Sequence, residues 1–120
     1  MSIFVTSDLH LNDPNALALR PQFKTLEEHD QFVIDQYNSV VGKDDLVYIL
    51  GDVGNVPRDK LISKCKQLNG RKILIRGNHD KMSYNDYRLA GFIEIYDHPV
   101  YYNDNIILGH YPLKECYKNP

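Results

Sequence analysis

Cysteine is scarce in this sequence of 120 residues: Cys65 and Cys116 are the only two, and no short spacing joins them. That excludes a disulfide framework and points to reduced thiols with structural roles. An excess of charge of one sign is also missing. Lys and Arg number 14 against 16 Asp and Glu, a net charge of -2. Nothing electrostatic therefore argues for nucleic acid or an anionic membrane as a bulk partner. The locally basic stretch from Arg58 to Lys72 reads as a solvated helix face and a turn. No apolar run approaches a membrane span, and Met1-Ser2 leads straight into a strand without a charged-then-apolar leader. The expectation is a soluble, cytoplasmic protein that makes no membrane contact. Repeats, low-complexity tracts and linkers are absent as well, so residues 1–120 should form a single domain. No G-x-x-x-x-G-K-[ST] loop occurs, which excludes a P-loop nucleotide site.

What is present is an alternation of short apolar runs and helical patterns. Residues 2–7 read as a first strand, followed by loop at Asn12-Asp13-Pro14-Asn15 and Arg20-Pro21. Thr25 and Glu28 fit a capping box. The helix behind it carries Leu26, Val33, Tyr37, Val40 and Val41 on one stripe and stops at Gly42. Leu46 to Leu50 is apolar throughout, a strand covered on both faces. Asn55 and Pro57 open a second helix with Leu61, Ile62, Cys65 and Leu68 on its apolar face, closed by Asn69-Gly70. A strand at 72–75, a short helix at 84–89, and strands at 92–95, 100–102 and 105–108 complete the order, with Asn103-Asp104 as a hairpin turn. The pattern is α/β in its first two thirds and antiparallel at its end.

Four polar clusters stand at or just past the ends of these strands: Asp8-Leu9-His10, Gly51-Asp52-Val53-Gly54, Gly77-Asn78-His79-Asp80 and Gly109-His110-Tyr111-Pro112. Strand ends are where open α/β sheets place their sites. If the alternation of the first strand persists, Asp8 and His10 share a face, as ligands of Zn, Mn or Fe would. Taken alone, the pair favours a turn-capping Asp and a solvated His, because D-x-H is short and common. Asp52 follows five apolar residues and a glycine, so its carboxylate should meet a cation or leave the core. Asn78 can offer a carbonyl oxygen to a hard or borderline cation. His79 can donate a proton, with Asp80 fixing its tautomer. The bland counterpart is an Asn-His-Asp turn. His110 alone is an ordinary surface residue and becomes a ligand only beside the other clusters.

Together these ordered clusters resemble the calcineurin-like metallophosphoesterases, over nearly the whole sequence to about Pro112. The resemblance implies a metallophosphoesterase-type β-sandwich flanked by helices. It also implies two divalent ions, Mn, Fe, Zn or Ni. Asp8, His10 and Asp52 would hold the first ion, and Asp52 would bridge to a second held by Asn78 and His110. His79 would be the acid that protonates the leaving group, supported by Asp80. The reaction would be hydrolysis of a phosphomonoester or phosphodiester by hydroxide activated between two ions roughly 3.5–4 Å apart. Its substrate would be a phosphorylated small molecule, a nucleotide or a nucleic-acid end. Arg76 and Asn12 stand near the motifs and are candidates to touch the phosphate, or simply structural. The family's usual last cluster, G-H-x-H, has no counterpart up to Pro120, so the fold is expected to be shortened at its C-terminal end. Each ion would then keep three protein ligands, and the last hairpin would offer an edge to a second copy of the chain. His29, His98, Glu115 and Cys116 are poor substitutes for the missing ligands. The alternatives are a catalytically lapsed or truncated domain that still binds metal or phosphate, and a fragment of a longer enzyme.

Overall fold

The computed structural model describes residues 1–55 and 57–111. Pro112, Glu115 and Cys116 lie outside them. Four strands, β1 (Ile3–Thr6), β2 (Leu46–Ile49), β3 (Arg71–Ile75) and β4 (Phe92–Tyr96), form one parallel sheet in the order β1-β2-β3-β4. Parallel neighbours need crossovers, and helices supply them: α1 (Asn15–Leu19) and α2 (Leu26–Val40), then α3 (Arg58–Cys65), then α4 (Tyr84–Leu89). The expected antiparallel end begins one strand later than the sequence suggests. The turn of helix at 84–89 is a true crossover, so β4 runs parallel to β3. Only β5 (Val100–Asn103) and β6 (Ile106–Leu108) pair antiparallel, around a two-residue turn at Asp104-Asn105. This hairpin makes up the whole second sheet among the described residues. It touches the first where the Tyr102 ring meets Tyr48 edge-on at 5.9 Å.

Local chemistry explains the boundaries. Thr25 Oγ1 accepts from Glu28 N at 3.1 Å, and Ser83 Oγ accepts from Asp86 N at 3.1 Å, so both helices start on side-chain caps. Only half of the capping box forms at Thr25, since Glu28 makes no return bond. The helix α1 arises where the sequence reads as loop. Pro14 is tolerated at a helix start, and the Asp13 carboxylate accepts from Asn15 N at 3.0 Å. At the start of α3, Pro57 is the N-cap itself and gives no side-chain cap bond.

Buried residues of α2, α3 and α4 join Val47, Ile49, Leu74 and Phe92 of the sheet in one core. Leu61, Cys65 and Leu68 are buried as their spacing predicts. Burial pushes the Cys65 thiol up to about 12, so it is inert packing. The buried stripe of α2 differs from the expected one: it carries His29, Asp30, Ile34 and Tyr37, while Val40 is exposed. A purely apolar stripe was the wrong template because two polar side chains find partners inside. No helix among the described residues is long and apolar enough to cross a membrane.

Candidate metal centre

Parallel strands deliver their C-terminal ends to one edge of the sheet, and the loops after β1, β2 and β3 meet there. The first two loops are zipped together. Asp8 N donates to Gly51 O at 3.1 Å, His10 N to Asp52 O at 3.0 Å and Leu11 N to Val53 O at 2.8 Å. Gly54 is required by this pairing, because a Cβ there would lie 2.2 Å from Leu11 O. Asp8, His10, Asn12 and Asp52 all take left-handed backbone, with φ of 59°, 51°, 56° and 53°. That conformation costs about 1–2 kcal/mol for a residue with a Cβ, and it concentrates at functional sites. It also corrects the sequence reading of how Asp8 and His10 converge. The strand ends at Thr6, and the loop beyond it, with left-handed residues at alternate positions, turns the two side chains together.

One carboxylate oxygen each from Asp8 and Asp52 and one ring nitrogen of His10 lie within 4.8 Å of one another. His10 Nε2 is 3.9 Å from Asp8 Oδ1 and 4.0 Å from Asp52 Oδ2. Its other nitrogen, Nδ1, is 3.2 Å from Asp13 Oδ2. A carboxylate can only accept, so this contact places a proton on Nδ1 and leaves Nε2 as the nitrogen that faces the two acids. On the far side of Asp52, His110 repeats the arrangement. Its Nδ1 donates to Leu50 O at 2.8 Å, and its Nε2 stands 3.6 Å from Asp52 Oδ2. Two glycines make room for this ring. A Cβ on Gly51 would be 2.4 Å from His110 Nδ1, and one on Gly77 would be 2.8 Å from both His110 Nε2 and Asp52 Oδ1.

The donor set fits a cation. Among the described residues Asp52 Oδ1 is buried and has no hydrogen-bond partner, a costly state for a carboxylate unless a positive charge compensates it. Two imidazoles that turn Nε2 toward Asp52, with two carboxylates, form a donor set that suits a borderline divalent ion.

Asp80 has a different task from the one its sequence position suggests. It is buried, and both oxygens accept backbone N–H groups: Oδ2 from Asp52 at 2.8 Å and Gly77 at 2.7 Å, Oδ1 from Val53 at 2.9 Å. Burial pushes its carboxyl upward against these three bonds, with the Asp52 charge adding to the rise. It therefore ties the β2 loop to the β3 loop and makes no hydrogen bond to His79. Asn78 and His79 occupy an exposed turn, where the His79 ring lies 6.3 Å from the His10 ring, edge-on. Arg76 is engaged with Asp97 at 2.6 Å and Met82 O at 3.0 Å, and Asn12 is buried with its amide donating to Asn55 O. Both are structural. His29 sits inside α2, and His98 bonds to Pro99 O. Asp13 went unnoticed in the sequence because its place beside Pro14 reads as a loop breaker; only its spacing of three from His10 hinted otherwise.

Comparison with known proteins agrees with this geometry. The profile of the calcineurin-like phosphoesterases matches residues 1–119. The gene 66 protein of Mycobacterium phage L5 is 32% identical over 127 residues, covering 89% of this chain and 61% of that protein. An uncharacterized protein of Methanocaldococcus jannaschii is 36% identical over 97 residues, covering 72% and 54%. A crystal structure of a protein of unknown function from Aquifex aeolicus superposes with a TM-score of 0.73 at 31% identity, covering 95% of this chain and 63% of that one. This chain thus spans between 54% and 63% of the length of these relatives. With the aspartate and histidine centre at its strand ends and a match running over residues 1–119, the chain belongs to the calcineurin-like phosphoesterases.

Proposed function

We propose that this chain hydrolyses a phosphomonoester or phosphodiester at a centre for two divalent cations. The observation that carries the reading is Asp52. One of its oxygens lies 4.0 Å from His10 Nε2 and 3.6 Å from His110 Nε2, and the other is buried without a hydrogen-bond partner among the described residues. A single carboxylate between two imidazoles is the natural bridge of a paired site. Asp8, His10 and Asp52 would hold one cation, and Asp52, Asn78 and His110 the other. When bound, the cations would supply Lewis acidity toward the phosphoryl oxygens and an attacking water.

The protein's own part is positioning and one proton. Asp13 and Leu50 O fix which nitrogen of His10 and His110 is free. Asp80 holds the Asp52 backbone against the Gly77 turn. His79 is exposed at the rim, where its ring can reach the leaving oxygen of a bound ester and give it a proton. The substrate is a phosphorylated small molecule, a nucleotide or a nucleic-acid end, and the cation is Mn, Fe, Zn or Ni.

The test is hydrolysis of an aryl phosphate monoester and diester with added Mn²⁺, Ni²⁺ or Zn²⁺, alongside calorimetric titration of the same ions. Turnover that needs the ion and disappears in Asp52→Asn is the expected result. Failure of every ion to bind, or undiminished turnover in Asp52→Asn, would exclude this reading. Stoichiometric ion or phosphate binding without turnover would instead assign a binding module.

A further inference from the structure

Outside the centre, the buried stripe of α2 holds a polar network with no counterpart in the reaction. We infer that Arg20, acting through His29 and Asp30, is a positioning residue that holds the Asp8–Asn12 loop in its ligating shape before any cation arrives; this rests on reading Asp8, His10 and Asp52 as cation ligands.

Backbone accounting leads to it. Pairing with the β2 loop uses the N–H groups of Asp8, His10 and Leu11 and the carbonyl of Leu11. Among the groups this pairing does not use, the carbonyls of Asp8 and Leu9 and the N–H of Asn12 all turn to one side-chain network. Arg20 takes both carbonyls, with Nη2 donating to Asp8 O at 2.8 Å and Nη1 to Leu9 O at 3.4 Å. Asp30 Oδ2 takes the third group, accepting from Asn12 N at 2.9 Å. The two are joined by His29. Arginine can only donate, so His29 Nε2, 2.7 Å from Arg20 Nη1, is the acceptor. The ring proton is then on Nδ1, which donates to Asp30 Oδ1 at 2.8 Å. Lys64 Nζ closes the set with a bond to Asp30 Oδ2 and another to Glu27 at 3.1 Å.

The network grips both ends of a loop that is left-handed at Asp8, His10 and Asn12. His29 is 0% exposed and Asp30 1%. Two cations, Arg20 and Lys64, balance two carboxylates, Asp30 and Glu27, so the network needs no ion of its own. Packing α1, α2 and α3 does not require it, because an apolar set of similar volume would pack as well or better. What the polar set adds is direction. Its donors and acceptors are aimed at three backbone groups of the ligand loop, and a fork of two N–H donors is the part only arginine supplies.

The experiment uses the full chain and Mn²⁺ alone as the probe. Arg20→Lys keeps the charge and loses the fork; Arg20→Gln loses both. Calorimetry should show Mn²⁺ bound about 10–100-fold more weakly by Arg20→Lys, the effect typical of groups that orient metal ligands. In the cation-free protein, the Asn12 amide should exchange faster with solvent while amides of β2 and β3 keep their protection. Wild-type affinity in both variants, or an Asn12 amide that stays protected, would overturn the inference. Loss of protection throughout β2 and β3 would assign Arg20 to the core and overturn it too. If the wild-type protein binds no Mn²⁺, the reading of the centre itself falls; if it binds and the variants match it, only the positioning role does.

Discussion

The two halves of the centre are built differently. Asp8 and His10 stand on a loop zipped to its neighbour by three backbone bonds and gripped from behind by Arg20 and Asp30. Asn78 and His79 stand on an exposed turn and make no side-chain hydrogen bonds among the described residues. His110 is intermediate, fixed by Leu50 O and by the space Gly51 and Gly77 leave for it. One half is preorganised, and the other keeps its side chains free to meet ligands. A rigid half fixes where charge sits, while a solvated acid can exchange its proton with water between turnovers.

The largest effect should come from the residue both halves share. Asp52→Asn should lower turnover by at least about 10³-fold and abolish tight cation binding, since it removes the charge that compensates two ions. Initial rates and calorimetry on the same preparation check both parts. Next comes the free half. His79→Ala should cost about 10²–10⁴-fold in kcat, the usual worth of a general acid, with cation affinity unchanged. An equal loss of affinity would place His79 among the ligands and blur the distinction between the halves.

Gly77→Ala tests the boundary between them. Its Cβ would meet Asp52 Oδ1 and His110 Nε2 at 2.8 Å, so the His110 side should lose its ion while the His10 side keeps its own. Calorimetry should then count one ion per chain where the wild type takes two. Within the rigid half, Asp13→Asn should weaken the first ion about 10-fold by loosening the His10 ring.

The smallest effect lies at the opposite end of the sheet and serves as the contrast. Bonds from Ser2 N and Gly42 N hold the Asp45 carboxyl below its ordinary value. A carboxyl lowered by folding stabilises the protein above its unfolded pKa of about 3.9, and that contribution is lost as pH falls through the lower folded value. Asp45→Asn should thus reduce Tm slightly at neutral pH, converge with wild type in acid, and leave cation affinity alone. Thermal melts across pH, paired with one titration, would show whether stability and the centre are separable.

Much of this was legible in the residues. The strand cores, the Thr25 start and the apolar face of Leu61, Cys65 and Leu68 are local patterns, and the structure keeps them. Asp8, His10, Asp52 and His110 also meet as their positions at strand ends suggested. The misreadings have a common source. Asp80 was placed with His79 because it is adjacent in sequence, yet its partners are the N–H groups of Asp52 and Val53, 28 and 27 positions away. His29 and Asp30 broke the apolar stripe of α2 because their partners lie on α1, α3 and the β1 loop. The direction of β4 depended on whether six residues at 84–89 carry the chain back across the sheet.

The sequence by itself determined the family, the order of the strands and the chemical character of the centre. Those follow from residue types beside short apolar runs, which local propensity and burial decide. Only the tertiary structure decided which nitrogen of His10 and of His110 faces Asp52, which aspartates gather with the histidines and which one clamps the backbone, and which groups hold the left-handed loop. A carboxylate or imidazole takes its role from whichever donors face it. Here those donors come from loops that meet only once the parallel sheet has brought its strand ends together.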